Sequence, residues 1–255
     1  MSSMSEPTAE YTCNTARLLL NLVGSVFVAA MGVIMLIGAL VTASSGGGNA
    51  ILFAGLGLIY AVPGALWFIG TIRKRDLRVV VSPEGLSYTK AGKTDLIRWD
   101  DIAVVRQAIT RVQHTFTVRS CNVQLRDGRK IRFNNALKNA KQLITTIQRA
   151  VTPRILARAR QDYNAGQAVP FGKLSISRAG ISKGKKTLPW DQVERVTVDK
   201  GTITVKKQGS LFKWASATVA ETPNFFVFAH LVGTEAPGST DLALLAMSVL
   251  GSTAK

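Results

Sequence analysis

The sequence predicts a membrane-anchored α+β protein in which a two-helix transmembrane hairpin precedes two tandem copies of a small β-unit, each closed by a helix. Three observations carry this. Two long uncharged apolar runs lie near the N-terminus, short alternating segments take over after residue 76, and "IRWDDIAVV" (97–105) recurs as "LPWDQVERV" (188–196). With 47% hydrophobic and 18% charged residues among 255, the chain is too apolar for disorder and long enough for more than one folded unit.

A tail, 1–17, comes first. From Leu18 to Val41 no residue is charged, and Ala50 to Thr71 gives a second uncharged run. Each suffices for a membrane helix, which needs about 20 residues. The first run is too long for the apolar core of a signal peptide, about 7–15 residues, and a second run follows it. Between them "ASSGGGN" (43–49) permits only a tight reversal, so 18–72 reads as a hairpin. Its loop is uncharged, whereas Arg73, Lys74 and Arg75 follow directly, and Lys and Arg stay on the cytoplasmic side. The expectation is a multi-pass protein of the cytoplasmic membrane, with both termini and the soluble part cytoplasmic. Residues 1–71 hold one Arg and two Glu while the chain is +17, so the remainder carries about +18.

Gly57, Ala61 and Ala65, four apart, form a small-residue face for close helix approach, either to the first helix or to a partner, and Pro63 should kink the second helix. Cys13 and Cys121 lack a second Cys or His nearby and read as inert thiols of a reducing compartment.

The first unit spans 76–152. "LRVVVS" and "LSYTK" flank "PEG" (83–85), "VQLRDGRKIRF" (123–133) is a hairpin whose Asp127-Gly128 suits a primed turn, and "NALKNAKQLITTIQRAV" places apolar residues three or four apart, as an amphipathic helix does. Residues 153–168 read as a helical connector ended by Gly166. The order restarts over 169–233: "KLSIS" and "GISKG" flank "RAG", "GTITVKK" and "SLFKWAS" join around Gly209, and "ETPNFFVFAHLV" is a helix opened by Thr222 and Pro223. A tail, 234–255, holds the apolar helix candidate "STDLALLAMSVLG", too short to span.

This order of elements resembles the pleckstrin-homology-like (PH-like) fold, a bent β-barrel of hairpins plugged by one helix. A transmembrane hairpin ahead of such units, with "FGKLSISRAGISKGKKTLPWDQVERVTV" opening the later one, is similar to an uncharacterised family of bacterial membrane proteins. The resemblance implies two tandem PH-like barrels over 77–232 and brings no catalytic residues.

The repeated phrase reads as structure. Leu188 and Trp190 share one strand face, Asp191 can cap the following turn, and Trp99 and Asp100 repeat the corner. Catalysis finds no support: His114 and His230 lack metal-ligand spacing, and Asp100 and Asp101 are neighbours whose side chains diverge. "AGKTD" (91–95) lacks the Gly of a phosphate loop, Ser87 standing in its place. No cofactor or metal is expected. Basic residues are the remaining signal: Arg73, Lys74 and Arg75 at the bilayer, Arg154, Arg158 and Arg160 on the connector, Lys183, Lys185 and Lys186 at a hairpin tip, with Lys206 and Lys207 beyond. Near an anionic leaflet each cation contributes about 1 kcal/mol of attraction. Nucleic acid is disfavoured, since aromatics rarely interleave with the basic tips and no recognition helix is evident. The expectation is therefore a non-enzymatic scaffold presenting PH-like units to anionic lipid headgroups or a protein partner. The alternative is an accessory or assembly subunit of a larger membrane complex, or a self-associating chain.

Overall fold

The computed structural model describes residues 9–46, 48–112, 115–236, 238–239, 242, 244 and 246–247, with side chains excepted at 108–119. They divide into two compact units: residues up to 96 with 136–138, and residues 97–135 with those from 139 onward. This border cuts through the first copy of the repeat.

In the first unit, β1 (Ala9–Thr12) leads into α1 (Thr15–Ser44), α2 (Ala50–Ile72), β2 (Arg78–Ser82), β3 (Gly85–Lys90) and β4 (Lys93–Arg98). The four strands make one antiparallel sheet in chain order. Tyr11 stands opposite Val79 and Thr12 opposite Arg78, so both helices are inserted between two neighbouring strands of one sheet. Glu10 and Arg78 pair across that junction at 2.7 Å. Ala91 and Gly92, both at positive φ (51° and 74°), close the β3–β4 hairpin as a two-residue primed turn. The stretch "AGKTD" is thus a hairpin corner.

Both α1 and α2 are long and apolar enough to cross a membrane. At 1.5 Å per residue α1 extends about 45 Å and α2 about 34 Å. Asn14 caps α1 by accepting the Arg17 N–H at 3.2 Å. The buried positions repeat every seven residues, at Ser25, Gly32 and Ala39 on α1 and at Gly57, Gly64 and Thr71 on α2. A seven-residue period is the seam of two slowly supercoiling helices. Small residues let the backbones touch: a Cβ on Gly32 would lie 2.3 Å from the Ala61 nitrogen, and one on Gly64 2.6 Å from that of Ala29. Ala65, expected on this face, is exposed. Seven residues return to nearly the same side of a helix and eight overshoot by about 80°, so Gly64 takes the place assigned to Ala65.

The second unit contains β5 (Ile102–Val112), β6 (Thr115–Leu125), β7 (Lys130–Phe133), α3 (Ala140–Asn164), β8 (Val169–Phe171), β9 (Leu174–Ser177), β10 (Gly180–Lys183), β11 (Lys186–Leu188), β12 (Val193–Asp199), β13 (Thr202–Lys207), β14 (Lys213–Thr218) and α4 (Phe225–Glu235). The sheets are β5-β6-β7, β8-β9-β10-β11 and β12-β13-β14, all antiparallel. Each copy of the repeat is thus a four-stranded sheet, then a three-stranded sheet, then a helix. Among the described residues the strands pair into four sheets, two in each copy. By this correspondence β1 matches β8, and the two-residue β8–β9 turn, Gly172-Lys173, stands where the first copy holds the helical hairpin.

The Asp127-Gly128 turn is not the primed type: only Gly128 has positive φ (86°), and the Leu125 N–H donates to the Arg129 carbonyl at 2.9 Å, a turn followed by a one-residue bulge. The connector and the amphipathic helix are a single helix, since the buried stripe of α3 runs from Ala140 through Val151 and Leu156 to Tyr163 without a break at Pro153. Leu156, Ala159 and Tyr163 join the core of the second copy, with Phe171, Phe225 and Phe228. At the end of α3 the Gly166 N–H donates to Tyr163 O and the Gln167 N–H to Asp162 O, a Schellman motif with Gly166 at φ 78°. Helix α4 opens after Asn224, not at Thr222 and Pro223, because Thr218 caps a 3-10 turn, Val219–Glu221, that occupies the preceding stretch. Of the tail, Leu242 and Ala246, four apart, are buried in the same core, while Leu244 and Met247 are exposed.

Candidate functional site

Three of the singled-out cations sit at one turn. Lys183 and Lys186 face each other across β10 and β11, joined by Gly184 (φ 60°) and Lys185. All three lysines are exposed, and none takes part in an ion pair among the described residues. Like charges opposed in a ladder are mildly destabilising, so this turn is held by its glycine and its strands, not by its lysines.

The connector arginines behave differently. Arg154 pairs with Asp100 at 3.3 Å and donates to the Ala150 carbonyl. Arg160 lies against the His230 ring on α4, and Arg158 is exposed. In the first unit Arg73, Lys74 and Arg75 form the exposed turn that ends α2, with Arg75 3.4 Å from Asp76. Two of the connector arginines are therefore spent on internal contacts.

The Trp-Asp phrase folds both times into a 3-10 turn, Trp99–Asp101 and Trp190–Gln192. Backbone bonds close each one, from Ile102 N–H to Trp99 O and from Val193 N–H to Trp190 O. The carboxylates point elsewhere: Asp100 meets Arg154, and Asp191 is exposed. Trp99 is buried, whereas Trp190 is half-buried and donates its indole N–H to Ser177 O at 3.0 Å. Both corners anchor strands.

Burial pushes the Cys121 thiol up to about 12 and raises that of Cys13, with Lys74 opposing the latter weakly. Thiols so shifted are poor nucleophiles. Burial first, then the Arg160 charge, lowers His230 below the usual imidazole range. A cavity lined by Val105, Gln107, Gln148, Thr152, Asn224 and Phe226 has a volume of about 10 Å³, room for one water. Inside it Gln148 donates to the Gln107 carboxamide oxygen. Among the described residues no cluster of three or more His, Cys, Asp or Glu could hold a metal; His114 lies outside them.

Sequence reasoning missed Leu211 and Phe212. "SLFKWAS" reads as a strand beginning at Ser210, yet β14 starts at Lys213 and the apolar pair stands in the loop, 92% and 80% exposed. The available clue is that two bulky apolar residues follow directly on a Gln-Gly-Ser turn.

These features define an α+β protein with two helices of membrane-spanning length and a duplicated sheet-sheet-helix unit, consistent with membrane association. Residues 6–239 match the family described as "Family of unknown function (DUF6585)", and the chain belongs to that family. No curated protein matches the chain.

Proposed function

We propose that this chain is a non-enzymatic, membrane-anchored binding protein. Helices α1 and α2 hold it in the cytoplasmic membrane with both termini cytoplasmic, and its PH-like units present cations to anionic lipid headgroups. The observation that carries the reading is the β10–β11 tip, where Lys183, Lys185 and Lys186 are exposed at a two-residue turn and free of ion pairs among the described residues. The orientation is supported by the uncharged α1–α2 loop and by Arg73, Lys74 and Arg75 after α2.

The complex-subunit alternative drew on the small-residue helix face and the C-terminal apolar segment. Part of each has a partner inside the chain, Gly57 and Ala61 at the α1–α2 seam and Leu242 and Ala246 in the core, while Ala65, Leu244 and Met247 are exposed. Hydrogen exchange on the full-length protein in nanodiscs tests the headgroup reading. Anionic lipid, compared with zwitterionic lipid, is expected to slow exchange at 180–188, and about 0.5 M salt to reverse this by screening. Equal exchange in both lipids would overturn it, and migration as a large species on native gels after gentle extraction would favour the subunit role.

A further inference from the structure

We propose that the tip of the β13–β14 hairpin is a bilayer-inserting wedge: Leu211 and Phe212 enter the acyl-chain region while Lys206, Lys207 and Lys213 hold the anionic headgroups around it. This rests on the reading that the second unit faces an anionic membrane, and adds an apolar, salt-resistant contact to it.

The turn chemistry does not require these two residues. Other two-residue hairpins turn on Ala91-Gly92, Gly172-Lys173, Gly184-Lys185 and Lys200-Gly201, small or polar residues with a positive φ in each. Here Gly209 (φ 68°) makes the reversal and the Ser210 N–H donates to Lys207 O at 3.2 Å, after which two large apolar side chains stand almost fully in water. Leaving such surface wet forfeits the free energy of burying it. The tip is also pre-shaped: the Ser210 hydroxyl accepts the Phe212 N–H at 3.3 Å and donates to its carbonyl at 3.1 Å. A side chain held out by its own turn needs little further ordering to insert.

Beneath the tip, Arg195, Lys206 and Lys213 stand abreast on β12, β13 and β14, each opposite the next. Lys207 follows at the end of β13, and Glu194 lies 3.7 Å from Arg195. A row of opposed like charges weakens a sheet unless anions neutralise it. Lysine stems lie along apolar surface with their ammonium groups in the headgroup layer. An apolar tip above a basic neck fits an anionic bilayer, which the chain's own membrane-length helices put within its reach. A second copy is a poorer occupant, since two chains of formal charge +17 repel.

The test uses the full-length protein in proteoliposomes, with Leu211→Cys labelled by a polarity-sensitive fluorophore. Cys13 and Cys121 are buried, and burial raises both thiols, which disfavours their labelling. Lipids carry a nitroxide on the headgroup or deep on the acyl chain, in anionic and zwitterionic vesicles. Insertion predicts a blue shift and stronger quenching from the acyl nitroxide in anionic vesicles, persisting at about 0.5 M salt. Phe212→Ser is expected to lower the inserted fraction about tenfold. Headgroup quenching alone would overturn the wedge and leave the headgroup reading standing. No quenching by either lipid would overturn the wedge, a blue shift then assigning the tip to a protein surface, and exchange at 180–188 decides the headgroup reading separately.

Discussion

Asn224 clasps Val105 with two hydrogen bonds: its N–H donates to the Val105 carbonyl at 2.8 Å, and its Oδ1 accepts the Val105 N–H at 2.8 Å. Its own backbone is left-handed, φ 53°, and its carbonyl accepts the N–H groups of Val227 and Phe228 at the start of α4. Asn139 does the same before α3, with φ 55° and bonds from Gln142 and Leu143. One left-handed Asn therefore opens both helices of the repeat, and in the second copy it also pins α4 to β5 of the first.

Replacing Asn224 separates these roles. Asn224→Gly keeps the left-handed backbone and loses the Oδ1 bond, and should cost about 1 kcal/mol. Asn224→Ala adds the left-handed penalty, for a total of about 2–3 kcal/mol. Chemical denaturation of the two variants checks the order; equal losses would show that the backbone conformation is not part of the clasp.

The α1–α2 seam gives a prediction of sign. Gly32→Ala places a methyl where Ala61 backbone already stands, forcing the helices apart at a cost of about 2 kcal/mol. Gly38→Ala meets nothing within 4 Å and should be neutral or stabilising by up to about 1 kcal/mol, from the gain in helix propensity. Unfolding in detergent monitored by circular dichroism distinguishes them. The same seam shows how far a sequence can be read here. Length and apolarity reveal the two helices, but a four-residue spacing selects Ala65, whereas the packed face follows the seven-residue beat that selects Gly64.

Strand β1 was not legible at all, because its partner β2 lies across the whole helical hairpin and local pattern carries no register over such a gap. Two consequences can be measured. A fragment starting at residue 76 leaves β2 without its neighbour and loses the buried Tyr11 and Cys13, a loss of about 2–4 kcal/mol. Replacing residues 14–76 with Asn-Gly joins Cys13 to Leu77 through a two-residue turn, the counterpart of Gly172-Lys173 in the second copy. That version should be water-soluble, β-rich and cooperative in its melt, whereas the fragment should melt lower or aggregate. Equal melts would mean that β1 adds nothing to the sheet.

The repeat itself was legible because its corner is spelled by bulky and turn-forming residues in a fixed order, with Trp99 and Trp190 at equivalent 3-10 turns. What those residues do was less so. Asp191 could have capped its turn from sequence alone, but a 3-10 turn already closes on its own backbone, leaving the carboxylate in solvent and that of Asp100 available to Arg154. Leu211 and Phe212 were hidden for a related reason: apolar residues beside a strand look like part of it until the ladder shows where pairing stops, here at Lys206 opposite Lys213.

Arg160 and His230 provide the pH dependence. A guanidinium always donates, so the imidazole Nε2 facing it must accept, which keeps the ring neutral with its proton on Nδ1. Burial and then the Arg160 charge lower the folded pKa below the unfolded value of about 6.5. Between those two values the unfolded chain binds the extra proton, so stability rises with pH. The His230 contribution is therefore complete above about pH 6.5 and is lost as pH falls through the lowered folded value. The full-length protein should melt at a lower temperature at pH 5 than at pH 7.5. His230→Gln, which keeps an acceptor but cannot titrate, should flatten that part of the profile and melt higher than the parent at pH 5. Arg160→Gln removes the smaller cause and leaves burial, so the loss should still begin near pH 6.5 but be smaller and end at a higher pH. If His230→Gln leaves the profile unchanged, the acid sensitivity belongs to other groups and the Arg160–His230 contact does not bias folding.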